Sequence, residues 1–455
     1  SASENLDIIG ESTSVLTINE GAEDKRTFRV KAKQSLGAAE LTFTAKHGDE
    51  QLFRTVGLSI RPAVAYRTTI DSGVADNGKI ALQLKRPLYK NLSEQSFSAS
   101  ASPLVAVDGL TAYLQQYPHG CTEQMVSKVF PLVGLMSQAM YAPYLNEVNG
   151  QFADLIRQLR SRQTADGGFS FWPGARTAAT YPSIYALHFL IEAQALGYPV
   201  PSDMLQRGQA YLTTIAQRSL SRADTELEVR NRANAIYLLT RLGLVTSNYL
   251  IDLEQRLRLE NGKHKWQDGL LSSYMAATYK LLQKDDEAAR LMSYYTIGRQ
   301  DARQIDDFNS GLANDAQHVF LLSKHFPSMA KKLGSDAVLS LTEKIHQGEY
   351  NTISAAYAVL ALSQYSALAP NSQPEAITFT ARSKDGIDTV LKAMAEPFLS
   401  AQYSVNTTSV TALAASPTSD SALYYLNVQS GFDTDLPTTP TKQGIEIFRE
   451  FVDGN

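Results

Sequence analysis

The sequence predicts a multidomain chain of mixed class, in which a block of paired α-helices closing into an α/α toroid lies between two stretches of antiparallel β-structure. Three observations predict it. Apolar residues recur with period two up to about residue 100, with a helical period from about Pro103 to about Ala367, and with period two again from Ile377. Helical segments can be counted near 104–117, 122–141, 151–163, 180–196, 203–219, 226–242, 246–259, 268–283, 285–295, 312–325, 331–346 and 351–367, which makes about six pairs. Ile184 to Leu196 is apolar nearly all round, whereas Tyr249 to Leu259 carries one stripe of Leu250, Leu253 and Leu257. Inner and outer helices of these two kinds, alternating, are what a toroid needs.

Along the chain, alternation first appears in Thr27-Phe28-Arg29-Val30-Lys31, in Leu41 to Ala45 and in Leu52-Arg54-Val56-Leu58-Ile60, with turns at Gly37 and His47-Gly48-Asp49. Strands of this kind pair antiparallel with one wet face. Arg61-Pro62-Ala63 breaks the pattern, and Thr68 to Ile70 and Ile80-Leu82-Leu84 give further strands around Ala75-Asp76-Asn77-Gly78. Within the helical block, Glu228 to Leu244 puts Val229, Ala233, Ile236, Tyr237 and Thr240 on one face and stops at Gly243. The loop Gln163 to Trp172 contains Asp166-Gly167-Gly168-Phe169, similar to turns of helical toroids, although such a turn can serve only to pack an aromatic. After Pro370-Asn371-Ser372-Gln373-Pro374 the strands return as Ile377-Phe379-Ala381, Val405 to Leu413 and Leu423 to Val428. From about Asp433 the chain is rich in Thr and Pro and then alternates as Ile445-Ile447-Phe448, like the opening of one more domain.

Composition bounds the function loosely. A chain of 455 residues with 44% hydrophobic content has ample material for two to four packed cores. Its 42 basic and 46 acidic residues leave a net charge of -4 with no long run of one sign, which gives no sign of a nucleic-acid partner or a polybasic membrane surface. One cysteine rules out an internal disulfide framework. No signal peptide or membrane span is visible, and the polar opening Ser1 to Asp7, running into strand-like sequence, reads as a piece of a longer protein.

That cysteine lies in the stretch Tyr117-Pro118-His119-Gly120-Cys121-Thr122-Glu123-Gln124. A single Cys is ordinarily a small buried hydrophobe. Here Pro118 and Gly120 bend the chain ahead of it and Gln124 follows three residues later, so thiol and carboxamide can meet across one helical turn. Attack of sulfur on the Gln carbonyl with loss of ammonia would give a thiolactone, an acyl group stored on sulfur and reactive toward amines, hydroxyls and water. The pattern Pro-x-Gly-Cys-x-Glu-Gln resembles the internal thioester motif of the α2-macroglobulin and complement superfamily, and Tyr117 and Thr122 fit its bacterial branch.

The resemblance implies an immunoglobulin-like macroglobulin β-sandwich over 1–62, and the two halves of a CUB β-sandwich at 63–100 and 371–431. It implies a thioester toroid inserted over 101–370, and the start of a further macroglobulin-like domain at 432–455. It implies a broad-spectrum protease inhibitor, not an enzyme: a protease cuts a bait segment, the molecule changes conformation, and the exposed thioester acylates a protease lysine once. Cys121 and Gln124 would form the cross-link, Gly120 and Glu123 would complete the motif, and Tyr117 would shield it. No cofactor or metal is implied. The partners would be target proteases and neighbouring macroglobulin domains, in a monomeric periplasmic lipoprotein held to the inner membrane only by a lipid anchor outside this stretch.

Other residues suggest less. Asp285-Asp286-Glu287 and Asp306-Asp307 fall at a helix start or loop, where acids suit the helix dipole. His318 and His325 are seven apart, His188 and His264 are isolated, and no second cysteine exists for zinc. In some complement relatives a histidine about a hundred residues beyond the Cys helps to esterify hydroxyls; Leu227 to Leu244 offers Asn231, Asn234 and Tyr237 instead. His119 adjoins Cys121 but precedes the turn, a motif position whose role, structural before catalytic, the sequence leaves open. A toroidal glycosidase or cyclase without a thioester is the rival enzyme reading, and an adhesive module with an inert Cys is the third.

Overall fold

A computed structural model describes residues 1–33, 36–62, 64–75, 78–219, 225–259, 269–298, 308, 310–368, 377–391, 394–395, 399–403, 410–417 and 423–435. Near the start, β1 (Leu6–Ile9) pairs antiparallel with β2 (Arg29–Ala32), and β3 (Gly37–His47) with β4 (Glu50–Ile60) in register from Gly37↔Ile60 to His47↔Glu50. The predicted turn is there: Gly48 takes φ +59 between the two strands, a conformation that glycine adopts without strain.

Next come β5 (Arg67–Ala75), β6 (Ile80–Gln83) and β7 (Leu88–Ser100), and after the helices β8 (Ile377–Ser383), β9 (Asp388–Leu391), β10 (Met394–Ala395), β11 (Leu399–Tyr403), β12 (Val410–Pro417) and β13 (Leu423–Asp433). They form a five-stranded sheet, β10-β11-β7-β13-β5, and a four-stranded sheet, β6-β12-β8-β9, so each mixes strands from both sides of the helical block. A separate core with Ile80, Phe97, Phe379 and Leu413 joins them, and the rings of Phe97 and Phe379 meet edge to face at 5.6 Å. The end of β13 is pinned by Asp433, which accepts from Arg86 Nε at 2.9 Å and Arg67 Nη2 at 2.8 Å; Arg86, then Arg67, holds that carboxyl below its ordinary range.

The helices are α1 (Asp108–Gln116), α2 (Thr122–Leu135), α3 (Leu145–Arg160), α4 (Thr180–Ala195), α5 (Ser202–Gln217), α6 (Glu226–Arg241), α7 (Ser247–Leu259), α8 (Leu270–Leu281), α9 (Asp285–Met292), α10 (Gly311–His325), the single turn α11 (Pro327–Ala330), α12 (Ser335–His346) and α13 (Thr352–Ser366). Contacts run from α2 to α4, α6, α8, α10 and α13 in turn, and α13 packs back on α2. Helices of this cycle, such as α4 and α13, are buried along nearly their whole length, as an apolar sequence without a polar face requires. The others lie outside it: α3 buries one stripe of Val148, Phe152, Leu155 and Leu159 against α2.

The structure departs from the periodicity in several places, among them the helix expected over 151–163, which starts at Leu145. The helix expected over 122–141 ends at Leu135 and resumes as a 3-10 turn over Ala139–Tyr144, where Pro143 has no N–H to give to an α-helical ladder. The helix expected from 331 starts at Ser335, after the turn α11. The 13 residues of β7 were legible only as part of a β unit, because the strand buries polar Gln95 and Ser98; Gln95 reaches Asn427 of β13 at 3.2 Å. The readings at Asp306-Asp307, His264, 405–409, Asp76-Asn77 and 436–455, including Ile445-Ile447-Phe448, lie outside the described residues.

Candidate functional site

The site begins where α1 stops. Residues 117–121 are irregular, Pro118 having no N–H to continue α1, and Cys121 is the N-cap of α2 in an extended conformation, φ -67 and ψ 165. Gln124 is the third residue of the helix, and its side-chain oxygen accepts the Cys121 N–H at 3.1 Å. The sulfur in turn faces the backbone N–H groups of Gln124 and Glu123. This reciprocal cap brings the Gln124 carboxamide oxygen onto the Cys121 backbone N–H. Cys121 is only 8% exposed. Burial pushes its pKa up and Glu123 adds to that, while the two N–H groups and Arg162 act the other way.

Five further hydrogen bonds fix the cap, and only that of Ser127, one turn along the same helix, is local in sequence. Thr122 donates its N–H to the Phe171 carbonyl at 3.0 Å and its hydroxyl to the Ser170 carbonyl at 2.6 Å. Arg162 Nη2 donates to the Gly120 carbonyl at 3.1 Å. Glu123, 4% exposed, receives Ser127 Oγ at 2.7 Å and Thr352 Oγ1 at 2.8 Å. The Asp-Gly-Gly-Phe loop is therefore part of the site's frame. It is closed by Thr164 N–H to the Gly168 carbonyl at 2.9 Å, and Phe169 N–H reaches Ser183 Oγ of α4 at 2.7 Å.

Tyr117 is placed differently from a residue one helical turn before the cysteine. Because α1 ends at Gln116, Tyr117 and Cys121 share no helix; the Tyr117 ring packs against Tyr113 and against His119, each with centroids 5.7 Å apart, and Lys128 Nζ holds its carbonyl at 2.6 Å. His119 thus meets the Tyr117 ring edge to face. Replacing Tyr117 by Gly is expected to speed both spontaneous loss of any thioester and its reaction with methylamine several-fold. An unchanged rate in a timed methylamine assay would remove Tyr117 from the site.

Of the residues on α6, Asn234 donates to Tyr274 at 3.2 Å and Tyr237 bonds His325 at 2.9 Å, both inside the helical core. Asn231 instead borders a cleft of about 780 Å³ whose walls include Phe171, Tyr181 and Tyr211. His318 and His325 are pushed down to about 3 by burial and stay neutral. The acids Asp285-Asp286-Glu287 form the first turn of α9. Among the described residues no group of three His, Cys, Asp or Glu side chains could hold a metal.

No family model matches the chain. An α2-macroglobulin homolog of Yersinia pestis is 31% identical over 98% of this chain and 22% of its own length, and the Rickettsia conorii α2-macroglobulin is 29% identical over 97% and 23%. The chain is homologous to a segment of bacterial α2-macroglobulin. Among solved structures, native α2-macroglobulin of Escherichia coli, from domain MG7 to the C-terminus, matches with a TM-score of 0.60 and 18% identity, over 96% of this chain and 69% of that one. Salmonella α2-macroglobulin reacted with methylamine matches with a TM-score of 0.59 and 19% identity, over 97% and 29%. These neighbours share the fold, and the chain spans under a quarter of the α2-macroglobulin relatives it matches in sequence.

Proposed function

We propose that Cys121 and Gln124 form an internal thioester, and that the chain is the thioester-bearing part of a bacterial α2-macroglobulin that inhibits proteases by covalent capture. The observation that carries this reading is the reciprocal cap, in which the Gln124 carboxamide lies against the backbone N–H of a buried cysteine. The relatives bear the name of a family of protease inhibitors, and the Salmonella neighbour is described as reacted with methylamine, a small amine of the kind that opens thioesters. On this reading the cycle of inner helices is an α/α toroid inserted in a CUB sandwich, and the hairpin of β3 and β4 belongs to a macroglobulin domain. The proposal extends to a monomeric, periplasmic lipoprotein whose lipid anchor is outside this stretch, with protease lysines as acceptors and neighbouring macroglobulin domains as cover. No observation favours a glycosidase or cyclase.

Direct attack by amines suits the site. Hydroxyls are poorer nucleophiles and need a base, and α6 provides no histidine: Asn234 and Tyr237 are occupied in the core. With methylamine and glycerol offered separately at equal concentration, the amide adduct at Gln124 should form faster than the ester by about two orders of magnitude. Comparable esterification would contradict direct aminolysis and would turn attention to His119.

A further inference from the structure

Arg162, just past the end of α3, is a buried cation without an acid to balance it. It is 7% exposed. Its Nη2 donates to the Gly120 carbonyl at 3.1 Å and its Nη1 to the Gln158 carbonyl at 3.3 Å, while Nε is buried without a hydrogen-bond partner. Among the described residues no carboxylate pairs with it; burial works against its charge, and a Cys121 thiolate works for it. A guanidinium keeps its proton inside a protein, so this charge is present at every working pH. The residue is held from both ends. Ser170 gives its N–H, at 3.0 Å, and its hydroxyl, at 3.2 Å, to the Arg162 carbonyl, and the carbonyl of the same Ser170 receives the Thr122 hydroxyl. The neighbours of the cysteine on either side, Gly120 and Thr122, are thus tied to Arg162 and Ser170, and the guanidinium ends on the peptide group that joins Gly120 to Cys121.

We propose, resting on the thioester reading, that Arg162 is a positioning residue of the thioester chemistry: a fixed positive charge that balances the Cys121 sulfur whenever the bond to Gln124 is made or broken. In the closed bond the sulfur is neutral and the cation lacks a counter-charge. When an amine attacks the Gln124 side-chain carbonyl carbon, a C–N bond forms, the C–S bond breaks, and sulfur leaves with the electron pair as a thiolate. The amine nitrogen gives its extra proton to solvent. Closure starts from the same thiolate: sulfur attacks the carboxamide carbon, a C–S bond forms, the C–N bond breaks, and nitrogen leaves as ammonia with a proton taken from solvent. Charge on sulfur therefore belongs to the passage in either direction and not to the stored bond, and a cation already in place favours the passage over the ground state. Glu123 also acts on the thiol and opposes its ionisation, so Arg162 and the first N–H groups of α2 are what favour the anion.

The test compares Arg162→Gln and Arg162→Met, which remove the charge, with Arg162→Lys, which keeps it, in two measurements. In molecules that carry the ammonia-deficient mass, methylamine adduct formation at equal free-base concentration should be about tenfold slower in the two neutral variants and within about threefold of the unmodified rate in Arg162→Lys. Once methylamine has released the thiol, or in molecules that never closed the bond, alkylation of Cys121 by iodoacetamide is followed between about pH 7 and pH 10. Its rate profile should be displaced to higher pH by about one unit in the neutral variants and stay in place in Arg162→Lys. This second measurement needs no thioester in the variants, and two neutral side chains of different polarity cover the case in which one fails to fold. A residue that only braces the loop would lower the thioester fraction in all three variants, Lys included, and leave the rate of the surviving bonds and the alkylation profile unmoved. That pattern, in unmodified protein that does carry the thioester, overturns the role of Arg162 alone. Unmodified protein at full sequence mass with no methylamine uptake overturns the thioester reading and this role together.

Discussion

Gly167→Ala is expected to lower the stability of the helical block by about 3 kcal/mol and to shorten the life of any thioester. Gly167 takes φ +91, a conformation that L side chains rarely adopt, and a Cβ there would lie 2.1 Å from the carbonyl oxygen of Arg207 and 3.3 Å from its Cα. Those neighbours are backbone of α5 and cannot swing aside as a side chain can. The loop must therefore move, and with it the Ser170 and Phe171 carbonyls that receive Thr122. Thr122 is next to the cysteine, so strain at Gly167 reaches the cap through two hydrogen bonds. Chemical denaturation gives the stability loss, and the fraction of protein with an intact bond after timed storage gives the local effect. A variant as stable as the unmodified protein would mean that α5 yields more easily than its packing implies.

How far the sequence reaches follows from the range of the interactions. The closeness of Cys121 and Gln124 was legible because it is local: an N-cap residue and the side chain three residues later lie together through helix geometry alone. The inner helices were legible because a helix buried on every side has to be apolar on every side, as α4 and α13 are. The strand β7 was hidden because its buried positions include Gln95, whose partner Asn427 comes from the far side of the helical block. The same limit applies at the site. Nothing near Glu123 announces Thr352, and nothing near Thr122 announces Phe171, since both contacts exist only once α13 has closed on α2 and the loop has folded under α4. At Tyr117 the sequence shows an aromatic four residues before the cysteine, but not that the helix ends at Gln116 and the ring packs on Tyr113 and His119.

The bond between Cys121 and Gln124 carries the largest expected effect, because it is either present or absent. The arrangement suits it twice: the capping bond fixes the Gln124 carboxamide at the Cys121 backbone N–H, and burial limits the access of water to the cysteine. Cys121→Ser and Gln124→Ala should each abolish methylamine incorporation altogether. Neither should unfold the protein, since each exchanges a few atoms at a helix cap and costs about 1 kcal/mol. The most direct measurement is the intact mass of freshly prepared, unmodified protein, with a thiol count before and after methylamine. The account predicts a mass short by one ammonia with no reactive thiol, and after methylamine one amine added at Gln124 and one thiol released at Cys121. Full sequence mass and a free Cys121 thiol in fresh, mildly handled protein, with no methylamine uptake, would contradict it.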